Sequence, residues 1–336
     1  MSSSLTSHTA DDPPPGRGQA AGLPLARSAV RRVLGRLFGG PQFDPTVDAG
    51  DPGLTGPGSA SWQVIAEPAA IAGGIRGLLV QVAHPLAMAG VHDHSAFRDD
   101  PLGRLQRTSG YVTTTTFGST REALAVSQRV RAVHPRVHGT APDGRRYRAD
   151  DPRLLTWVSI ALTSSFLAAH RLWAPGVLED EDAFVREQSE IAALLDPRVD
   201  VRALLADPTA QAELRARRIH LPMIADGTLP ITADGLEQVL ARYDAELGIN
   251  QQGREALAFL KRPPIPLVAR GGYRALLSGA VGSLTPRLQT ALEVRWGPVR
   301  SRAAVTQAQV ALSSMRTAVG TSPSVKAAAA RCAATG

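Results

Sequence analysis

Apolar positions along most of this 336-residue chain recur every three to four residues, the spacing of one face of an α-helix. The clearest signal is Asp151-Pro152, because an acid can cap a helix and proline suits its first position. It predicts a central helix over Arg153–Leu172. The apolar face of this helix consists of Leu154, Leu155, Trp157, Val158, Ala161 and Leu162.

Neighbouring segments carry equally local signals. Pro101–Phe117 has helical spacing, and Ser119 with Glu122 forms a capping-box pattern that starts a helix over Thr120–Val137. Asp143-Gly144 is a strong turn signal and predicts a small hairpin within 141–147. Ala69–Ala89 reads as a buried helix that proline at position 85 kinks.

The remaining segments complete an all-α prediction. Further helices are expected over Asp180–Leu195, Leu267–Val281, Thr285–Trp296 and Arg302–Val319. No strands alternate with helices at βαβ spacing, and no internal repeat is visible. The predicted organisation is one helical domain over residues 61–319 and a flexible C-terminal tail over 320–336. Residues 1–60 would hold a disordered tail, a short basic amphipathic helix (Leu25–Phe38) and a linker or wrapping loop.

Composition narrows the class of protein. The apolar share of 43% and charged share of 20% are typical of a soluble globular protein. The net charge of +7 comes from arginines that alternate with aliphatic and acidic residues, a pattern of solvated faces that argues against nucleic acid. The lone Cys332 excludes a disulfide framework. The apolar region 69–91 is interrupted by Arg76, Gln81 and His84, so we expect a cytoplasmic protein without a membrane span; peripheral membrane contact stays open.

No Gly-rich phosphate loop, GxSxG elbow or HExxH pair is present, so the histidines are the informative residues. His134 shares a predicted helix face with Arg131 and His138. Because Pro135 removes an amide and disfavours α geometry at His134, this step indicates either a constrained site or a plain helix end that the histidine caps. The same alternatives hold for the step from His84 to Pro85.

Two other groups could carry chemistry. His92 and His94 could hold a metal together with His84, or simply form a polar turn. Arg104, Arg107 and Thr108 lie at i, i+3 and i+4, where arginines could bind an anion such as a haem propionate or could form a solvated stripe.

Three segments in order resemble the MpaB/latex-clearing-protein oxygenase family, the rubber-oxygenase catalytic domain. They are QVAHPLAMAGVHDHSAFRDDPLGRLQRTSGYV (81–112), VRAVHPRVHG (130–139) and YRADDPRLLTWVSIALTSSFLAA (147–169). The match covers about 62–173, with a weaker fit through 268–281. The resemblance implies an all-α fold with a core related to globins, haem b, and oxidation of a hydrophobic chain by dioxygen.

Residue by residue, the family's proximal Arg-x-x-His step falls on Arg131 and His134, which makes His134 the implied axial iron ligand. His84 is assigned beside it as a cofactor-binding residue. The family's distal basic pair followed by threonine falls on Arg104, Arg107 and Thr108, the implied catalytic set.

Two departures bear on this implication. The latex-clearing branch has a lysine that can coordinate iron where this chain has Arg107, and an arginine stays protonated. Many relatives have a histidine where this chain has Ser159. The resulting hypothesis is a haem-b-dependent oxygenase for an isoprenoid or unsaturated lipid, with an apolar channel lined by Leu155, Val158 and Leu162. Its rival is a non-catalytic haem- or lipid-binding protein of the same fold. The oligomeric state is left open.

Overall fold

Helices account for most of the residues that this computed structural model describes, which are 41–95 and 99–334. The all-α prediction is confirmed. The first half holds α1 (Ala60–Ala66), α2 (Ala69–Val82), α3 (Pro85–His94), α4 (Pro101–Phe117), α5 (Thr120–Val133), a 3-10 turn (His134–Arg136), β1 (His138–Thr140), β2 (Arg146–Arg148) and α6 (Pro152–Trp173). The predicted disordered tail and the Leu25–Phe38 helix lie outside the described residues.

The second half continues with shorter helices before two long ones. These are α7 (Glu181–Ala193), α8 (Val201–Ala206), α9 (Pro208–Arg215), α10 (Pro222–Ala225), α11 (Ala233–Ala241), a 3-10 turn (Asp244–Glu246), α12 (Gln251–Lys261), α13 (Leu267–Gly282), α14 (Pro286–Ala291), α15 (Pro298–Val319) and α16 (Pro323–Ala333). Leu236 and Tyr243 of this half join the main hydrophobic core.

The centre of that core is the contact between α2 and α6, whose facing side chains are almost fully buried. Gly73 permits the close approach, because a Cβ there would lie 2.9 Å from the Phe166 ring and 3.1 Å from the Ala169 methyl. A second pair, α13 and α15, packs against this centre. Trp173 joins the two pairs by donating from its indole Nε1 to the Val305 carbonyl at 3.1 Å.

Three local predictions are confirmed. Asp151 caps α6, and Ser119 with Glu122 forms a complete capping box at α5. The small hairpin is present: β1 and β2 pair antiparallel, with Gly139 opposite Tyr147, and Gly144 takes the left-handed conformation that the turn needs (φ 85°).

Proline acts differently from expectation at two helix boundaries. Pro85 does not kink one long helix but starts α3, because His84 leaves helical geometry and accepts from the Ala87 N–H through Nδ1 at 3.4 Å. The helix expected to end at position 137 ends at Val133, because Pro135 cannot donate to the Arg131 carbonyl.

The C-terminal segment corrects a further prediction. Residues 323–333 form α16 instead of a flexible tail, and Arg331 is only 1% exposed. Its guanidinium donates to the carbonyls of Asp51 and Phe117 at 2.9 and 2.8 Å. The helix predicted over 285–296 also ends early, at Ala291, before Glu293 adopts a positive φ of 55°.

Within the described ranges, no single helix is long and apolar enough to cross a membrane. The pair α1 and α2, bent by 90° at its junction, meets the length and composition test only when taken together.

Candidate functional site

The antiparallel hairpin of α4 and α5 positions most of the residues that the sequence singles out. Only Gly118 and Ser119 separate the two helices. The Tyr111 hydroxyl lies beside the Ser127 side chain, and burial raises the Tyr111 pKa to about 12. Because both helices rise about 1.5 Å per residue, this contact places the Arg104 turn of α4 level with the end of α5, where His134 lies.

His134 combines an occluded and an accessible ring nitrogen. Its backbone keeps helical angles (φ −53°, ψ −40°), so the expected departure from α geometry before Pro135 does not occur. Nδ1 is buried and makes no hydrogen bond with any described residue, whereas Nε2 retains solvent contact. Burial lowers the pKa of the imidazole, and the Asp150 carboxylate opposes that decrease. A neutral imidazole with an open Nε2 is suited to bind a metal ion.

Asp150 was not found by sequence reasoning. It accepts two hydrogen bonds from the Arg148 guanidinium, at 3.0 and 2.8 Å, and these hydrogen bonds hold its pKa below the ordinary value. It follows the hairpin strand β2, whereas His134 precedes β1. The β-hairpin therefore brings together an acid and an imidazole that no short motif links.

Arg104 is the second unusual group of the hairpin. Its side chain is half-buried, and no carboxylate of the described residues pairs with it. Burial lowers its pKa, and the charge of Arg107 adds to the decrease. Thr108 is also half-buried and lies one helical turn further along the same face. An unpaired, half-buried guanidinium is suited to bind an anion.

Unlike Arg104, the side chains of Arg107 and Arg131 have partners among the described residues. Arg107 is 64% exposed and its Nη1 lies 3.1 Å from Asp100 Oδ2, whereas Arg104 and Thr108 are half-buried. The Arg131 guanidinium donates to the carbonyls of Val199 and Pro197 at 2.5 and 3.2 Å. Those hydrogen bonds attach it to the loop before α8, and its cofactor-binding role stays a prediction.

His84 lies in a different environment from the one expected. It is fully buried against Trp157 and Tyr243, with ring centroids 5.2 and 6.0 Å away. Its Nε2 is 3.5 Å from Glu246 Oε2, and burial lowers its pKa. Nδ1 caps α3, so His84 belongs to an aromatic core cluster, and its cofactor-binding role stays a prediction.

The other histidines form a polar network. His92 Nδ1 lies 3.0 Å from Asp93, and the Tyr147 hydroxyl donates to the other Asp93 oxygen at 2.7 Å. His94 Nε2 lies 3.2 Å from the Tyr147 hydroxyl and 3.0 Å from the carbonyl of His138, which belongs to β1 and not to the α5 face. Within the described residues, no three His, Cys, Asp or Glu side chains converge on a metal position.

The predicted channel residues are only partly available. Leu155 is buried in a secondary core with Leu124, and a Cβ at Gly77 would lie 2.8 Å from the Leu162 side chain. Val158 is 38% exposed and therefore remains open to solvent, while its place in a channel stays a prediction.

Two pockets found among the described residues lie elsewhere. One, of about 240 Å³, is lined by residues of α7 and α9–α10, including Glu190 and Arg217; the other, of about 400 Å³, contains Arg153 and Tyr243. Neither borders His134. The hairpin site is therefore identified by its unpaired polar groups and not by a closed cavity.

The chemistry of these groups fits a haem. A haem iron would be bound by a neutral imidazole, and the haem propionates would favour cationic partners. His134 Nε2 and the Arg104 guanidinium are groups of these types at one end of the hairpin.

Comparison with known proteins decides the family. The sequence model of the family described as "ER-bound oxygenase mpaB/B'/Rubber oxygenase, catalytic domain" matches residues 62–317. The chain belongs to this family. The match extends well beyond the segment 62–173 on which the resemblance was based, and it includes α13 and most of α15. No curated protein and no solved structure gives a significant match, so the relation of the core to globins stays a prediction.

Proposed function

We propose that this member of the oxygenase family is a haem-b-dependent oxygenase that uses dioxygen on a hydrophobic substrate, an isoprenoid or an unsaturated lipid. The observation that carries the proposal is His134, whose Nε2 is accessible while its Nδ1 is buried without a partner among the described residues. Family membership supports oxygenase chemistry.

His134 would hold the iron through Nε2, and the depressed pKa keeps the imidazole neutral and ready to bind. When bound, the haem would supply the activation of dioxygen. Asp150 would act on His134 electrostatically, since a nearby carboxylate raises the basicity of an imidazole that binds a metal.

Arg104 would bind an anionic group, either a propionate or negative charge that develops near the reacting oxygen. Its lack of a carboxylate partner among the described residues leaves the guanidinium available for this role. Thr108 offers a hydroxyl one turn away, and Val158 offers apolar surface to a hydrophobic substrate.

Oxygen uptake by haem-loaded protein tests the proposal. We expect uptake with squalene, an isoprenoid alkene, and none with squalane, its saturated analogue. Arg104→Gln should lower the rate by about ten- to a hundredfold, as expected for loss of a charge-assisted hydrogen bond. Arg107→Gln is the matched control on the same helix and should change the rate less than threefold.

A non-catalytic haem- or lipid-binding protein is the second candidate. The exposure of Arg107 and its ion pair with Asp100 favour it, as does Ser159 in place of a histidine. A protein that binds haem and squalene without oxygen uptake would support this candidate and contradict the oxygenase proposal.

A further inference from the structure

Residues 261–274, the turn between α12 and α13 together with the helix ends on either side of it, present apolar side chains to solvent. Leu267 and Val268 form the start of α13 and are 75% and 81% exposed. A single exposed aliphatic residue is ordinary on a protein surface. Two adjacent ones form a small exposed patch that is not part of the main core.

The turn is held in a defined position beneath this patch. Ile265 is buried, and its N–H donates to the Pro263 carbonyl at 2.9 Å. The Tyr273 hydroxyl donates to the Leu260 carbonyl at 2.7 Å, which joins the end of α12 to the second turn of α13. These hydrogen bonds therefore fix the position of the segment that carries Leu267 and Val268.

Cations flank the patch in sequence on both sides. Lys261, Arg262, Arg270 and Arg274 are exposed, and none of them pairs with a carboxylate in the part of the chain that the structure describes. Their charge is not balanced locally by acids in the sequence, because residues 256–292 contain no Asp or Glu.

The imbalance extends to the end of the chain. Residues 256–336 contain eleven Lys and Arg and a single acid, Glu293, which pairs with Arg254 at 2.7 Å. The net charge of +7 therefore resides in this last quarter, and the preceding residues carry a small net negative charge. The even scatter of arginines expected from the sequence does not describe this region.

We propose that the turn 261–274 is a docking surface for an anionic lipid bilayer. Leu267 and Val268 would enter the interfacial region, and the four cations would lie at the level of the anionic headgroups. Nucleic acid is the other polyanion that such charge could attract. Exposed aliphatic residues do not contribute to phosphate binding, and the one aromatic residue of the turn, Tyr273, is half-buried and not available for base stacking.

Flotation of the full-length protein with vesicles tests the proposal. We expect binding to phosphatidylcholine vesicles that contain one quarter phosphatidylglycerol, at least tenfold weaker binding to pure phosphatidylcholine, and loss of binding at 0.5 M NaCl. Arg270→Gln with Arg274→Gln should weaken binding about 25-fold, from about 1 kcal/mol for each cation near the membrane surface.

The apolar contribution is tested separately. Leu267→Ser with Val268→Ser should weaken binding about tenfold or more, because each buried CH₂ contributes about 0.8 kcal/mol. The matched controls, the exposed Val177→Ser and the exposed pair Arg202→Gln with Arg242→Gln, should bind like the parent. The predicted helix Leu25–Phe38 is left intact throughout.

Three results would overturn the proposal. They are equal binding to both vesicle types, turn variants that bind like the parent, and a DNA duplex that binds through Arg270 and Arg274 while vesicles do not bind. Since haem plays no part in the assay, the outcome is independent of the oxygenase proposal.

Discussion

Arg331→Ala is the substitution whose effect follows most directly from the structure. Arg331 attaches α16 to the body of the protein from a position where the sequence predicts a flexible tail. Its side chain is buried, its Nε and Nη1 donate to the carbonyls of Asp51 and Phe117, and its guanidinium lies 5.7 Å from the Phe43 ring centre. Alanine removes all three interactions without disturbing helix propensity.

The expected loss of unfolding free energy can be worked from these contacts. Each carbonyl left unpaired in a buried setting costs about 1–3 kcal/mol, and the cation–π contact adds about 0.5–1 kcal/mol. Water entering the space left by the side chain would donate hydrogen bonds to the carbonyls in part, so we expect a total loss of unfolding free energy of about 3 kcal/mol. That is a large share of the roughly 5–15 kcal/mol by which folded proteins are stable.

Urea unfolding followed by tryptophan fluorescence measures this loss, since Trp62 packs edge-on against Phe117 at 5.2 Å. With a urea dependence of about 3 kcal/mol per molar, the midpoint should fall by about 1 M. Lys326→Ala, an exposed cation of the same helix, is the control and should shift the midpoint by less than 0.2 M, about the ±0.5 kcal/mol of a surface change. Equal shifts for the two variants would refute the reasoning.

Two further stability measurements follow. Gly279→Ala should lower the free energy of unfolding by about 1–3 kcal/mol, because the new Cβ would lie 2.3 Å from that of Ala308. Gly271→Ala is the control and should be neutral or stabilising, because the space around Gly271 is open. A larger loss for Gly271→Ala than for Gly279→Ala would contradict the packing of α13 against α15. Burial lowers the pKa of His84 below 6.5, so the unfolded state binds more protons and stability should decline as pH falls from 7 to 5. His84→Asn keeps a capping oxygen and should flatten that decline, whereas the exposed His220→Asn should retain it. Equal pH dependence of the unfolding free energy in the two variants would contradict the lowered pKa of His84.

Helix boundaries set by short-range signals could be predicted from the sequence. The capping box of Ser119 and Glu122 and the Asp151-Pro152 step act within four residues, so the patterns sufficed to start α5 and α6 correctly. The packing of α16 could not be predicted, because the partners of Arg331 lie 214 and 280 residues away. An alanine-rich segment gives no local indication of such distant contacts.

In the candidate site, too, some features could be predicted from the sequence and others could not. His134 was found through its neighbours in sequence, and its role as a ligand stays a prediction. The difference in burial between Arg104 and Arg107 depends on how α4 is rotated against the body of the protein, and residue types do not reveal that rotation. Arg131 matched a family step, but its partners in the loop at Pro197 and Val199 are visible only in three dimensions.

The ligand role of His134 is the central claim, and an absorption spectrum tests it most directly. The full-length protein, incubated with haemin and then separated from unbound haemin, should show a Soret band whose intensity corresponds to about one bound haem per chain. His134→Ala should reduce haem retention at least tenfold, while the exposed His138→Ala should leave the spectrum unchanged. A His134→Ala protein that retains haem with the parent spectrum would contradict the account.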